Sequence, residues 1–171
     1  MEIFGVVGWK NSGKTGLMER LVAEITGRGF RVSTIKHAHH AFDIDHPGKD
    51  SHRHREAGAS EVLLASSKRW ALMAELRDAP EPTLTELLAH LTPVDLVLIE
   101  GYKRDIHKKI ETHRAVNASP LIASDDPTIL ALASDTQHAG FDRPVLHLDA
   151  TKDIADFILN ATGLAMAKAA S

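Results

Sequence analysis

The residues best suited to chemistry form a glycine-rich stretch near the start of the chain. Gly8, Gly13, Lys14 and Thr15 match the pattern G-x-x-x-x-G-K-[ST], between an apolar run at 3–8 and a helical pattern. The glycines let backbone N–H groups converge on a phosphate, and the helix N-terminus adds partial positive charge. We therefore predict a triphosphate site in which Lys14 bridges β- and γ-phosphate oxygens and the Thr15 hydroxyl binds Mg²⁺. The predicted loop residues also include Asn11, Ser12 and Gly16.

A magnesium–nucleotide site also needs an acidic group at the end of a neighbouring strand. The run "LVLIEG" (96–101) supplies it, because four apolar residues lead directly to Glu100. The alternative is a solvated carboxylate at a strand end. We take Glu100 as the second Mg²⁺ ligand and, with Lys14, as a candidate catalytic residue. Gly101 would let the backbone pass close to the γ-phosphate.

Apolar runs alternate with amphipathic segments, which is typical of a parallel sheet covered by helices. A helix is predicted from about Lys14 to Thr26, and another from Ile154 to Asn160 and beyond, followed by a frayed tail at 165–171. We therefore predict an α/β fold of the P-loop NTPase-like, three-layer type, with a mostly parallel central sheet and an added β-hairpin. The apolar runs expected to form the sheet lie at 3–8, 30–37, 96–101, 121–124, 129–135 and 145–149. The segments 61–66 and 69–76 are expected to pair as the hairpin, and 83–91 to form a helix capped by Thr83.

Length and composition limit the possible classes. The chain has 171 residues, 43% of them hydrophobic and 25% charged, which predicts one compact globular domain. Together with the glycine-rich motif, this predicts a single P-loop nucleotide-binding domain over 1–171. A net charge of -3 argues against general nucleic-acid binding, and no apolar run is long enough for a membrane span. The N-terminus lacks the pattern of a secretion signal, and the chain has no cysteine, so we expect a cytoplasmic protein.

The segment 38–60 is polar, rich in His and Asp, and too long for an ordinary connection, so we interpret it as a functional loop. Three hypotheses remain open: an anion-binding or switch loop, a Zn²⁺ or Ni²⁺ site, and a plain solvated loop. Neighbouring Lys and Arg side chains favour the first. Lys36, which ends the second predicted strand, is the candidate cation on the substrate side, and Asp45 is a candidate Mg²⁺ ligand through water.

The segment "TIKHAHHAFDIDHPGKDSHRHREAGA" (34–59), with "RWALMAEL", "DLVLIEGYK" and "ILALASD", closely resembles the molybdopterin-guanine dinucleotide biosynthesis protein B (MobB) family. The resemblance covers roughly residues 3–160. It implies a GTP- and Mg²⁺-binding protein with weak GTPase activity, usually a homodimer. The family works beside the guanylyltransferase that attaches GMP to molybdopterin, so that enzyme and molybdopterin itself are implied partners. Carried over by position, "IKHAHH", which includes Lys36 and His37, and "DIDHPGKDSHRHR" would form the loop that faces the γ-phosphate and the pterin partner.

The signature [NT]-K-x-D, which reads guanine through a carboxylate, is absent from the sequence. Asp135, which ends "ILALASD", is our candidate guanine reader, since it closes a late strand on the same side of the sheet. A turn-capping role for Asp135 is the open alternative. Trp9 stands where some related dimeric GTPases carry a lysine, and Lys10 follows one position later.

Three functions are compatible with these features. The first is a GTP-binding accessory protein of cofactor synthesis that hydrolyses GTP slowly. The second is a small-molecule kinase in which Arg53 and Arg55 form a mobile lid over the transferring phosphoryl group. The third is a metal-delivery GTPase that uses His37, His39 and His40.

Overall fold

The computed structural model describes residues 1–38 and 44–169, and it divides the chain into two compact units. The first unit comprises 1–37 and 91–171, and the second comprises 38–90. The sequence had predicted one domain with a functional loop at 38–60. The strands are β1 (Glu2–Val7), β2 (Val32–Lys36), β3 (Glu61–Ala65), β4 (Trp70–Ala74), β5 (Leu96–Glu100), β6 (Lys109–His113), β7 (Ile129–Ser134) and β8 (Val145–His147). The helices are α1 (Lys14–Gly27), α2 (Asp50–Glu56), α3 (Leu84–Ala89), α4 (Thr151–Ala161) and α5 (Leu164–Ala169).

The first unit contains a six-stranded sheet in the order β2-β5-β1-β6-β7-β8. Every pairing in it is parallel, so the predicted α/β class and mostly parallel sheet are confirmed. Strands β1 and β5 are central because their apolar side chains can be buried on both faces. Parallel pairing brings the carboxyl ends of β1, β2, β5 and β6 to one edge, which is where ligands bind in open α/β sheets.

Helices α1 and α4 pack on one face of this sheet. Leu17 and Leu21 of α1 and Ile154 of α4 are fully buried in one apolar cluster with β1. The Phe4 ring meets the Phe157 ring edge-to-face, with centroids 6.4 Å apart. Burying side chains of this size contributes about 1.5–3 kcal/mol each, which fixes α1, and hence the glycine-rich loop before it, against the sheet.

Strand β6 was not recognised in the sequence because its residues, "KIETH", include three ionisable side chains. All five are buried. The Lys109 ammonium lies 3.2 Å from an Asp126 carboxylate oxygen and donates to the Asp105 carbonyl. The Glu111 carboxylate accepts backbone N–H bonds from Ile122 and Ala123, at 3.1 and 2.8 Å. These partners offset much of the free-energy cost of burying charge. A search for apolar runs cannot find a strand that is buried in this way.

The second unit contains the predicted hairpin, in which β3 pairs antiparallel with β4. Helix α3 has the predicted capping box: the Thr83 hydroxyl accepts from the Glu86 N–H, and the Glu86 carboxylate accepts from the Thr83 N–H. Helix α2 lies within the segment interpreted as a loop. It is polar almost all round, so it lacks the apolar periodicity by which helices are recognised.

Two further segments differ from the sequence-based expectations. The apolar run at 121–124 contains a 3₁₀ turn, Ile122–Ser124, while the runs at 129–135 and 145–149 form β7 and β8. The tail expected to be frayed is helical as far as residue 169, in agreement with the strong helix propensity of its alanines.

Among residues 1–38 and 44–169, no helix combines the length and apolar character that crossing a membrane requires.

Candidate functional site

The glycine-rich loop connects β1 directly to α1, as the sequence predicted. Gly13 caps α1 in a left-handed conformation with φ 96°, and Asn11 also has a positive φ of 62°. A Cβ added at Gly8 would lie 2.5 Å from the carbonyl oxygen and the hydroxyl of Thr112, so only glycine fits there. The first-turn N–H groups of α1, which include those of Thr15 and Gly16, have no acceptors within the helix. The loop therefore presents N–H donors and a helix N-terminus to one point.

Lys14 folds over this loop. Its ammonium donates to the carbonyl oxygens of Gly8 and Trp9, at 3.1 and 2.7 Å. Partial burial lowers the pKa of Lys14, Glu100 opposes that shift, and the nearby Lys103 and Lys36 reinforce it. An anion beside these ammonium groups would relieve their mutual repulsion. The electrostatics thus favour an anionic ligand.

Thr15 and Glu100 meet at the β5 side of the loop. The Thr15 hydroxyl donates to a Glu100 carboxylate oxygen at 3.3 Å, and the Lys36 ammonium lies 3.6 Å from that same oxygen. Two adjacent oxygen ligands of an octahedral Mg²⁺ lie about 3 Å apart. Both the chemistry and the spacing of this pair therefore fit Mg²⁺, which Thr15 and Glu100 would hold directly or through water.

Gly101 turns the chain immediately after Glu100, with φ 101°. A Cβ added there would lie 2.9 Å from the His37 Cβ, so the backbones of β2 and β5 approach closely at their ends. The His37 N–H donates to the Glu100 carbonyl at 2.9 Å, and the His37 ring stacks on Tyr102 with centroids 4.7 Å apart. His37 thus borders the same edge as Lys36 and Glu100.

Ser12 anchors the loop to β6. Its hydroxyl lies 2.7 Å from that of Thr112, which donates to the Val7 carbonyl at 3.1 Å. Because the Thr112 proton is already used, Ser12 must be the donor of this pair. Ser12 is only 2% exposed, so its side chain positions the loop and leaves ligand contact to its backbone. Thr112 was missed because β6 was missed.

Asp135 lies at the end of β7, where one of its carboxylate oxygens accepts the Ala115 N–H at 2.9 Å. The carboxylate therefore caps the turn after β6, and its role as guanine reader stays a prediction. Arg114, which precedes that turn, was not anticipated. Its guanidinium Nε lies 3.2 Å from where a Cβ on Gly13 would stand, so a cation faces the glycine-rich loop from the β6 side.

Asp45 belongs to the second unit and has a cationic partner there. Its two carboxylate oxygens accept from Arg55 at 2.6 and 3.3 Å, and Arg55 also pairs with Glu75 at 2.7 Å. The hydrogen bond from Arg55 lowers the pKa of Asp45. Both oxygens are thus engaged, and Mg²⁺ binding by Asp45 stays a prediction.

The predicted metal cluster depends partly on His39 and His40, which lie outside the described residues, as does Asp43. Within 1–38 and 44–169, no three His, Asp or Glu side chains come close enough together to hold a metal ion.

Comparison with known proteins gives one consistent family. The family described as "Molybdopterin guanine dinucleotide synthesis protein B" (MobB) matches residues 3–135. The chain is 42% identical over 161 residues to the molybdopterin-guanine dinucleotide biosynthesis adapter protein of Haemophilus influenzae, covering 92% of this chain and 88% of that protein. The Escherichia coli K12 adapter protein is 36% identical over 160 residues, covering 92% and 91%.

Solved structures agree with this result. A MobB protein homolog from Bacillus stearothermophilus has a TM-score of 0.71 at 26% identity and covers 96% of this chain and 99% of that one. The Bacillus subtilis MobB structure has a TM-score of 0.72 at 26% identity, with coverages of 94% and 97%. Sequence and fold lead to the same conclusion, and the chain belongs to the molybdopterin guanine dinucleotide synthesis protein B family.

Proposed function

We propose that this chain is a GTP-binding accessory protein of molybdenum cofactor biosynthesis, which assists the conversion of molybdopterin to molybdopterin guanine dinucleotide. The pathway is supported by the relatives, which carry the name molybdopterin-guanine dinucleotide biosynthesis adapter protein. The nucleotide is supported by the site at the N-terminus of α1. In this proposal the protein binds GTP with Mg²⁺, hydrolyses it slowly, and works beside a molybdopterin guanylyltransferase.

The observation that carries the proposal is the convergence of Lys14, Thr15 and Glu100 at one edge of the sheet. The loop N–H groups and Lys14 would hold the β- and γ-phosphates, while Thr15 and Glu100 would hold Mg²⁺. The ion, when bound, neutralises phosphate charge. Lys36 lies beside Glu100 and would face the terminal phosphate.

Slow hydrolysis is consistent with the environment of Glu100. This carboxylate is 9% exposed, accepts from Thr15, and lies beside Lys36. One of its oxygens is already engaged by the Thr15 hydroxyl and the Lys36 ammonium, and in this proposal the carboxylate holds Mg²⁺ and does not activate water. The proposed role is therefore that of a nucleotide-dependent adapter, in which the bound state matters more than turnover.

A homodimer is the proposed assembly, and the hairpin of the second unit supports it. Leu63 on β3 and Trp70 on β4 are 62% and 65% exposed, and Leu72 lies directly across from Leu63. Exposed apolar side chains concentrated on a two-stranded ribbon are typical of a surface that is covered by another chain. A second copy would cover them symmetrically.

The kinase alternative loses one of its proposed lid residues. Arg55 is held between Asp45 and Glu75, and its side chain is only 13% exposed, so it serves the packing of the second unit. We therefore keep the accessory GTPase as the proposed function.

The test combines purified guanylyltransferase, molybdopterin, Mg²⁺ and GTP, with and without this protein, and follows dinucleotide formation. Wild type should raise the initial rate, and Lys14→Ala should not. Arg31→Gln is the matched control, because the exposed Arg31 side chain pairs with Asp95 at the opposite end of the sheet, away from the glycine-rich loop. Equal stimulation by wild type and Lys14→Ala would refute a nucleotide-dependent role. In a separate assay of this protein with ATP or GTP and candidate small acceptors, a marked rise in ADP or GDP with one acceptor would favour the kinase instead.

A further inference from the structure

The segment that follows β6, residues 114–120, is attached to the glycine-rich loop at two points. The Asn117 side-chain amide donates to the Lys10 carbonyl at 3.4 Å, and the Trp9 indole N–H donates to the Pro120 carbonyl at 2.7 Å. These bonds join residues more than a hundred positions apart in sequence. The segment therefore forms a wall beside the loop, on the side away from Glu100.

Arg114 stands at the start of this wall. Its Nε and one terminal nitrogen lie 3.2 and 3.6 Å from the position of a Cβ on Gly13. The next residue, Ala115, donates its N–H to Asp135 at 2.9 Å, which fixes the backbone immediately after Arg114. Within 1–38 and 44–169, the exposed Arg114 guanidinium has neither an ion-pair nor a hydrogen-bond partner.

The order of the strands determines which part of a nucleotide would reach Arg114. Strand β1 lies between β5 and β6, so Glu100 and Arg114 flank the glycine-rich loop on opposite sides. Mg²⁺ held by Thr15 and Glu100 would bind the β- and γ-phosphates, which places the terminal phosphates on the β5 side. The nucleoside of the same ligand would then extend toward β6.

We propose that Arg114 is a nucleoside-binding residue, whose planar guanidinium lies against the face of the purine base, and that Asp135 positions it through Ala115. The inference rests on the proposed function, since it requires that a nucleotide occupy the loop. A guanidinium stacks well on aromatic faces, whereas the phosphates already have Lys14 and the N-terminus of α1. Arg114 thus contributes affinity for the base and ribose end, and none for the phosphate chain.

The experiment measures equilibrium binding of GTP, GDP and inorganic tripolyphosphate, each with Mg²⁺, by titration calorimetry. Arg114→Ala should lower the affinities for GTP and GDP by about the same factor, on the order of tenfold, and leave the affinity for tripolyphosphate unchanged. Arg31→Gln, which removes the same charge at the opposite end of the sheet, should leave all three unchanged. An equal loss for tripolyphosphate would identify a phosphate contact and overturn the proposal.

Arg114→Lys tests whether GTP binding requires the planar guanidinium group of Arg114. Complete recovery of GTP affinity by lysine would show that a point charge suffices, which contradicts stacking. Thermal unfolding of both variants should match wild type, because Arg114 is exposed.

The role of Asp135 is tested by two substitutions. Asp135→Asn keeps an oxygen that can accept from Ala115, so GTP affinity and the preference for GTP over ATP should both be retained, while Asp135→Ala should reproduce the Arg114→Ala loss. Loss of the GTP preference in Asp135→Asn would instead make Asp135 the guanine reader. Failure of wild type to bind GTP would overturn the proposed function together with this inference. Unchanged GTP binding in Arg114→Ala would overturn the inference alone.

Discussion

Replacing Glu100 by glutamine should change GTP affinity in opposite directions with and without Mg²⁺. The substitution keeps the shape of the side chain and an oxygen that can accept from Thr15, whose hydroxyl is 3.3 Å away, but it removes the charge. The lost pair with Lys36 has little effect on folding, because the Lys36 side chain is 60% exposed. We expect the free energy of unfolding to change by less than about 1 kcal/mol.

The magnitudes follow from Coulomb's law. A carboxylate about 4 Å from a dication gains about 2 kcal/mol in water and about 8 kcal/mol at an effective dielectric constant of 20. Glu100 is 9% exposed but opens toward solvent at Lys36, so we take about 2–4 kcal/mol, or roughly a 30- to 1,000-fold loss of GTP affinity with Mg²⁺. Without Mg²⁺, removing a negative charge from beside a triphosphate should strengthen binding by about threefold.

The assay is fluorescence titration of GTP at saturating Mg²⁺ and in EDTA. Trp9 lies in the glycine-rich loop and reports on it once Trp70, the only other tryptophan, is replaced by phenylalanine. Equal losses of affinity in both conditions would refute the assignment of Glu100 to Mg²⁺. So would a variant that binds Mg²⁺–GTP as well as the parent protein.

Three predictions concern the framework of the site. Burial lowers the pKa of His107, with Lys109 adding to the shift, so the unfolded chain binds more protons below about pH 6.5, and stability should fall as the pH drops below that value. Within 1–38 and 44–169 neither ring nitrogen of His107 has a hydrogen-bond partner, so His107→Leu should reduce this pH dependence and raise the free energy of unfolding by about 1 kcal/mol; an unchanged pH profile in urea denaturation would contradict this. Asp126→Asn should cost about 3 kcal/mol, because Lys109 is fully buried beside it, and a change below about 1 kcal/mol in chemical denaturation would show that the pair is unimportant. Gly8→Ala should abolish GTP binding, because its Cβ would lie 2.5 Å from Thr112, and retained binding in calorimetry would show that the loop adapts.

The glycine-rich loop was predictable from sequence because its conformation depends on local residue types. Gly13 provides the left-handed cap, and the residues around Gly8 leave no space for a side chain. The capping box of α3 and the β3–β4 hairpin were predictable for the same reason, since short-range patterns determine both. The buried strand β5 is apolar throughout until Glu100, so its strand character and its terminal acid are both visible in the sequence.

Features that depend on distant partners were not predictable. Strand β6 is buried because Lys109 meets Asp126 and Glu111 meets backbone donors, and none of these pairings follows from the order of the residues. Arg114 was overlooked as a consequence, since its place beside Gly13 depends on β6 pairing with β1. If "KIETH" had been recognised as a buried strand, Arg114, which follows it, would have been placed at the edge of the sheet where ligands bind.

Titration calorimetry of GTP against ATP, with and without Mg²⁺, on wild type and on Lys14→Ala would test the proposed GTP-dependent function. We predict selective, Mg²⁺-assisted GTP binding that is lost in the variant while its thermal unfolding stays within a few degrees of wild type. Preference for ATP, or equal binding of the two nucleotides, would contradict the proposed GTP-dependent function. Undiminished GTP binding by Lys14→Ala would contradict the site itself.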